Sequence, residues 1–214
     1  MVDLTNLELL TTTRAVRRRL DLTRPVDRAD VEECLRVAFQ APNASNQQRW
    51  AWIAVDDAST KARMADVYRA GATARSAQIA QMEGTPGAYT VKTRASEMSE
   101  SIRHLLDHIH EVPVLVVPTV VGRLDRADVA TQASAWGSVL PAVWSFMLAL
   151  HTKGMGSAWT TTHLLFEADM AEILGIPYGE VTQVGLFPVA HTIGTAFRPG
   201  VRDASADAIR WNHW

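Results

Sequence analysis

Gln40-Ala41-Pro42-Asn43-Ala44-Ser45-Asn46-Gln47-Gln48-Arg49-Trp50 joins a helical stretch to an extended one, and the rest of the chain is ordered around it. Pro42 pushes Ala41 out of the α region, so a helix arriving from upstream stops there. The amide and hydroxyl side chains that follow make a polar loop, the kind of segment that carries function when a rigid scaffold holds it. Trp50-Ala51-Trp52-Ile53-Ala54-Val55 then predicts a β-strand, ending at Asp56-Asp57. Upstream, Pro25-Val26-Asp27 opens the helix with Asp27 as N-cap and Asp30 three residues on. Val31, Cys34, Leu35 and Ala38 recur at helical spacing as one buried stripe. On that stripe Cys34 is a core residue rather than a reactive thiol.

Downstream, Ser59 to Gly71 is predicted helical. Residues 72–111 are polar and read as a helical lid of two helices broken around Gly84, Pro86 and Gly87. The β-branched run Val112 to Val121 predicts a strand buried on both faces. Ala133 to His151 is apolar nearly all round, hence a central helix, and it ends at Gly154-Met155-Gly156 with Lys153 in the last turn. Ser157-Ala158-Trp159-Thr160 reads as a short extended segment. A helix from Glu167 carries Met170, Ile173 and Leu174, and Val181 to Val189 is a further strand. The tail from Thr192 has little core of its own yet ends in Trp211 and Trp214, so it is expected to pack on something, a partner subunit being a good candidate. Without repeats or linkers, the reading is one α+β domain over 1–214, a few strands among many helices.

The 214 residues are 47% hydrophobic and carry a net charge of −2, enough apolar mass for a core and no electrostatic footprint for nucleic acid or an anionic membrane. The N-terminus lacks the pattern of a signal peptide, and no apolar run reaches the roughly 18 residues of a membrane span. A single cysteine suits a reducing compartment, so a cytoplasmic location is expected. Lysine occurs only at 61, 92 and 153, which leaves the positive charge almost entirely to arginine.

Four segments can carry chemistry. Thr12-Thr13-Arg14-Ala15-Val16-Arg17-Arg18-Arg19 sets four guanidinium groups beside hydroxyls, a good binder of a phosphate monoester, although alone it reads equally as a solvated basic turn. The 42–48 loop offers amides that both donate and accept, as the pyrimidine edge of a flavin requires; alone it reads as a polar turn. Gly154-Met155-Gly156-Ser157-Ala158-Trp159-Thr160-Thr161 allows close backbone approach to a flat ring, but it does not follow a strand and open a helix, so it is no dinucleotide fingerprint. His104 and His108 share a helix face with Asp107 nearby. No glutamate or cysteine pair completes a metal site there, and a polar, lid-like helix is the preferred reading. Neither a nucleophile elbow nor a P-loop is present.

In their order, these segments resemble the FMN-dependent nitroreductase family. The resemblance rests on Arg14-Ala15-Val16-Arg17, Pro25-Val26, the loop 40–50, Gly154 to Thr161, Leu174-Gly175-Ile176-Pro177 and Phe197-Arg198-Pro199-Gly200-Val201-Arg202. It implies a nitroreductase-like fold, a central, mostly antiparallel sheet surrounded by helices, and a homodimer with intertwined termini and FMN at the subunit interface. By the same resemblance Arg14, Ala15, Arg17 (with Arg18 as substitute) and Arg202 hold the phosphate end. Pro42, Asn43, Ala44, Asn46 and Gln48 reach the flavin from the facing subunit, and the backbone of Thr160 and Thr161 meets its reactive edge. No side chain is implied as catalytic, since the flavin carries the electrons. NADH or NADPH would supply them, and a nitroaromatic, quinone or similar electron-poor small molecule would accept them, with ping-pong kinetics. The same fold admits a flavin-dependent dehydrogenase, tailoring oxidase or dehalogenase, and a non-catalytic flavin-binding redox sensor. Thr13, Ala15, Arg49 and Asn43-Ala44 depart from the family's usual arginine, serine, proline and serine pair.

Overall fold

A computed structural model describes residues 2, 4–82, 95–200, 202 and 209–214. The helix α1 (Asn6–Thr12) begins in a capping box, where Thr5 and Glu8 satisfy each other's orphan groups. The helix expected to open at Pro25-Val26-Asp27, α2 (Arg28–Ala38), is capped by Asp27 and buries Val31, Cys34 and Ala38, while α1 has no counterpart in the sequence reading. Strand β1 (Trp50–Val55) follows the polar loop.

Helix α3 (Ala58–Met82) runs eleven residues past Gly71, where the sequence suggested a stop. Gly71 is a packing residue: a Cβ there would sit 2.1 Å from the carbonyl oxygen of Thr162, so only glycine lets that turn press against the helix. Of the two helices expected in 72–111, α4 (Ala95–His108) is present, while the break at Gly84, Pro86 and Gly87 lies outside the described residues. Strand β2 (Val114–Val121) is buried along all but its last residue, as a strand covered on both faces should be. Helix α5 (Val129–Thr152) starts four residues before the expected position, because Asp128 accepts from the amides of Ala130 and Thr131. By length and composition alone the helix could span a membrane, a test that the core helix of a globular domain also passes. Its residues Val139, Val143, Phe146 and Leu150 instead form the centre of a core cluster with α2 and the sheet.

β3 (Met155–Gly156), α6 (Glu167–Leu174), β4 (Val181–Gln183) and β5 (Phe187–His191) complete the fold. The strand expected over 181–189 is thus two. β4 pairs with the far end of β2 and β5 with the near end, both antiparallel. The sheet runs β1-β2-β5-β3 with every ladder antiparallel and β4 beside β2. A second core cluster, including Met64, Tyr68, Leu105, Ile109, Leu115 and Met170, fills the opposite face under α3 and α4. Two lysines are built inward. Lys61 is buried with its ammonium on the carbonyls of Val112 (2.7 Å) and Pro113 (3.1 Å). Lys153 ties the end of α5 to Asp30 and Glu33 of α2, at 2.8 Å each.

Candidate functional site

The N-terminal arginines, the strand β3 region and the tail converge. Ala15 bridges Ser157 in parallel, and the Val16 amide donates to the Ser157 carbonyl at 2.8 Å. The glycine before it makes this approach possible. A Cβ on Gly156 would lie 2.9 Å from Val16 Cβ and 2.8 Å from Thr192 Cγ2. The room beside Gly156, which the sequence reading reserved for a flat ring, is therefore filled by the chain itself.

The four arginines have four different surroundings. Arg19 donates to the carbonyls of Ile193 (2.9 Å), Ala196 (3.1 Å) and Gly194 (2.6 Å) and lies over the Phe197 ring, so it anchors the tail. Arg14 is exposed and donates to the Arg198 carbonyl at 3.2 Å. Arg18 meets Glu100 of α4 at 3.4 Å, an exposed pair of little worth on its own that a phosphate can displace. Arg17 is half-buried, and no carboxylate among the described residues pairs with it. Burial lowers its pKa, which the neighbouring Tyr68 phenol opposes. A guanidinium withdrawn from water without a counter-charge is costly, which makes this a place prepared for an anion. Arg202 packs its guanidinium against Gly200 in the same tail.

Thr160 continues this cluster. Its backbone pairs both ways with Leu186, and its buried hydroxyl donates to the Leu186 carbonyl at 2.7 Å. Tyr68 of α3 faces both the Thr160 side chain and Arg17 and joins the two; burial raises its phenol's pKa. Thr161 is exposed at the start of the turn Thr162–Phe166. Beneath the arginines, buried His151 and Ser157 line a small cavity with Thr13 and Arg14. The Thr13 hydroxyl donates to the Leu9 carbonyl, so at 2.8 Å it accepts from His151 Nδ1. This leaves His151 Nε2 a bare acceptor, and Ser157 Oγ is likewise without a partner among the described residues. Sequence reasoning missed Tyr68 and His151, because each looks like an ordinary helix residue until distant segments fold onto it.

The loop group forms a second assembly. Pro42 is exposed, and Ala44–Asn46 make a short 3-10 turn. Ser45, Asn46 and Gln48 all have positive φ, 53°, 51° and 49°. Left-handed backbone costs a non-glycine residue about 1–2 kcal/mol, and three in four positions mark a segment held in place by its surroundings. Asn43 Oδ1 accepts the Gln48 amide at 3.0 Å, Gln48 Nε2 donates to Asn46 at 3.1 Å, and the Ala44 amide donates to Ser138 Oγ of α5 at 3.0 Å. Asn43, Ala44 and Gln48 line a cavity of about 360 Å³ against the first half of α5, and that cavity contains none of Arg14, Arg17 or Thr160. The loop and the arginine cluster thus line two different cavities of one chain.

The histidines at 104–110 make no metal site among the described residues. His108 bonds Glu111 at 2.8 Å and His110 bonds Arg69 at 3.0 Å. Burial pushes the Cys34 thiol up to about 12, so it is inert as a nucleophile.

A sequence model described as the Nitroreductase family matches residues 10–191. Among solved structures, the chain is similar to an iodotyrosine deiodinase bound to FMN and 3-iodo-L-tyrosine, with TM-score 0.70, 21% identity and coverage of 97% of this chain and 99% of that one. It is also similar to the FMN and NADPH-dependent nitroreductase NfnB of Sphigopyxis sp. strain HMH, with TM-score 0.69, 17% identity and coverage of 99% and 100%. A BluB-like flavoprotein from Clostridium difficile 630 matches with TM-score 0.67, 15% identity and coverage of 98% and 99%.

Proposed function

The chain belongs to the nitroreductase family, and from that premise we propose that it is an FMN-dependent oxidoreductase working as a homodimer, with NADH or NADPH as electron source and a small electron-poor molecule as acceptor. The observation that carries the reading is Arg17, half-buried beside Tyr68 and Thr160 with no anionic partner among the described residues. Arg14, Arg17, Arg18 and Arg202 would hold the phosphate, with Ala15 lending its backbone. The orphaned Ser157 hydroxyl and His151 Nε2 suit a polyhydroxylated chain or the waters around it. When bound, FMN supplies two-electron chemistry that no side chain of this protein offers. The backbone of Thr160 and Thr161 would orient the ring edge.

The separation of the loop cavity from the arginine cluster supports the dimer. Asn43, Ala44, Asn46 and Gln48, with Pro42 setting the loop's entry, would complete the pocket of a second copy rather than their own. Exposed Val129 and Trp144 on α5, and Trp211 and Trp214 in the tail, are surfaces such a copy would cover. Residues 95–108, with Glu100 on Arg18, would close over the arginine end as a lid.

The test is the visible spectrum of protein purified without added cofactor, followed by heat release and chromatography of the chromophore. The expected result is a yellow protein that releases FMN, oxidises NADH or NADPH in the presence of a quinone, and loses flavin on dialysis once Arg14→Ala or Arg17→Ala is introduced. A colourless protein that takes up no FMN overturns the reading.

A further inference from the structure

The cavity beside the loop has a composition that selects its ligand. Its walls are apolar, including Val120, Leu124, Ala135 and Val139, and among the described residues no aspartate or glutamate lines it. At about 360 Å³ it lies at the small end of the roughly 300–1,000 Å³ typical of ligand cavities, room for a single ring and its substituents. Most polar groups in the wall are engaged. The Thr131 hydroxyl donates to Asp128 at 2.6 Å, and Ser138 Oγ donates to the Ser134 carbonyl at 2.7 Å while accepting the Ala44 amide.

Two cations contribute to the wall, and they are not equivalent. Arg123 is neutralised by Glu167 and Asp125, at 2.9 Å each, and is covered by the Tyr178 ring. Arg49 is exposed, and its guanidinium has no hydrogen-bond or ion-pair partner among the described residues. It stands where chain direction is fixed on both sides. Gln48 before it has positive φ, and its own carbonyl accepts the Val121 amide at 3.0 Å as the strand begins. A free guanidinium on an anchored backbone, at the wall of an apolar cavity that no described carboxylate lines, is complementary to a flat apolar body bearing one carboxylate.

We propose that this cavity binds the organic acceptor and that Arg49 makes the acceptor an aromatic acid. The assignment rests on the functional reading above, which brings the same loop to the flavin of a second copy. Arg49 acts here as a specificity-determining residue. Binding of the acid gains a charge-assisted, bidentate contact that the corresponding neutral amide lacks, a difference of about tenfold or more in affinity.

The experiment is calorimetric titration of the purified dimer, as isolated with its flavin, with 4-nitrobenzoate and 4-nitrobenzamide. These probes share size and ring electronics and differ in charge. The expected result is binding of the acid at least about tenfold tighter than the amide. Arg49→Gln should abolish that preference while leaving amide affinity unchanged, and Arg49→Lys should keep part of it. Equal binding of the two probes, binding of neither, or a preference that persists in Arg49→Gln overturns the proposal. Flavin content and NAD(P)H oxidation are measured on the same preparation. A flavin-free protein sinks the functional reading and this assignment with it, whereas a flavin-loaded enzyme without charge preference sinks this assignment alone.

Discussion

Acid is expected to loosen this protein through His163. The imidazole is 0% exposed, neither ring nitrogen makes a well-formed hydrogen bond among the described residues, and burial pushes its pKa down to about 4, a shift that the nearby Gln183 amide only partly opposes. In an unfolded chain a histidine titrates near 6.5. Between those two values the unfolded state binds a proton that the folded state refuses, so stability falls as pH falls. Above about pH 6.5 both states are neutral and nothing is lost. At pH 5 the loss is about 2 kcal/mol, at pH 4 about 3 kcal/mol, and it levels off only below the folded-state pKa. That is a sizeable part of the roughly 5–15 kcal/mol of a typical domain. The assay is urea unfolding of the wild type and His163→Phe, each at pH 7.5 and pH 5. Groups common to both proteins cancel in the comparison, including His151 and His191, whose pKa values burial also lowers. The wild type should lose about 2 kcal/mol more than the variant between the two conditions. An equal loss in the two proteins would refute the reasoning. The turn that holds His163 follows directly on Thr160 and Thr161, so flavin retention should decline over the same pH interval.

Two further changes probe the arginine end. Gly156→Ala sets a Cβ against Val16 and Thr192 at 2.8–2.9 Å. Overpacking of this kind costs about 1–3 kcal/mol, and it should also shift Ala15 to Arg17 and lower FMN retention; unchanged melting and flavin content would count against the packing argument. Arg19→Ala removes three hydrogen bonds to tail carbonyls and the contact with Phe197. Limited proteolysis should then cut near 193–198 faster than in the wild type while the rest of the domain stays resistant, and an unchanged rate would show that the tail is held elsewhere.

What the sequence disclosed follows from the range of the forces involved. The loop and β1 are local consequences of Pro42 and a run of short polar side chains and stand where expected, whereas α2 already ends at Ala38, three residues before the stop read at Ala41. The Asp27 cap is local in the same way. Helix α5 begins early because Asp128 is an equally local cap whose signal was overlooked. Other features depend on contacts across the chain. Gly71 looked like a helix stop only because its neighbour, Thr162, is ninety-one residues away. The run 181–189 divides because its two halves pair with opposite ends of β2, which no pattern within the run encodes. The site divides along the same line. That the arginines formed a cluster was visible, but that Arg19 secures the tail while Arg17 stands half-buried without a counter-charge depends on residues 193–197 and on Tyr68. The loop's amides were visible too, whereas its left-handed backbone and its tie to Ser138 were not.

The inward lysines bear on how the protein meets the chemistry around it. Reagents and enzymes that acylate amines need an accessible ammonium that gives up its proton. Lys61 is closed in on two carbonyls, and Lys153 is clasped by two carboxylates that hold its proton well above the usual range. Only Lys92, outside the described residues, completes the set. Apart from the histidines, the remaining basic side chains are guanidinium groups, which stay charged across the pH range of a folded protein and which acetylation does not neutralise. The arginine charge of this protein is thus set at translation and closed to acetylation, and amine-directed labels or cross-linkers would find few handholds among its described lysines.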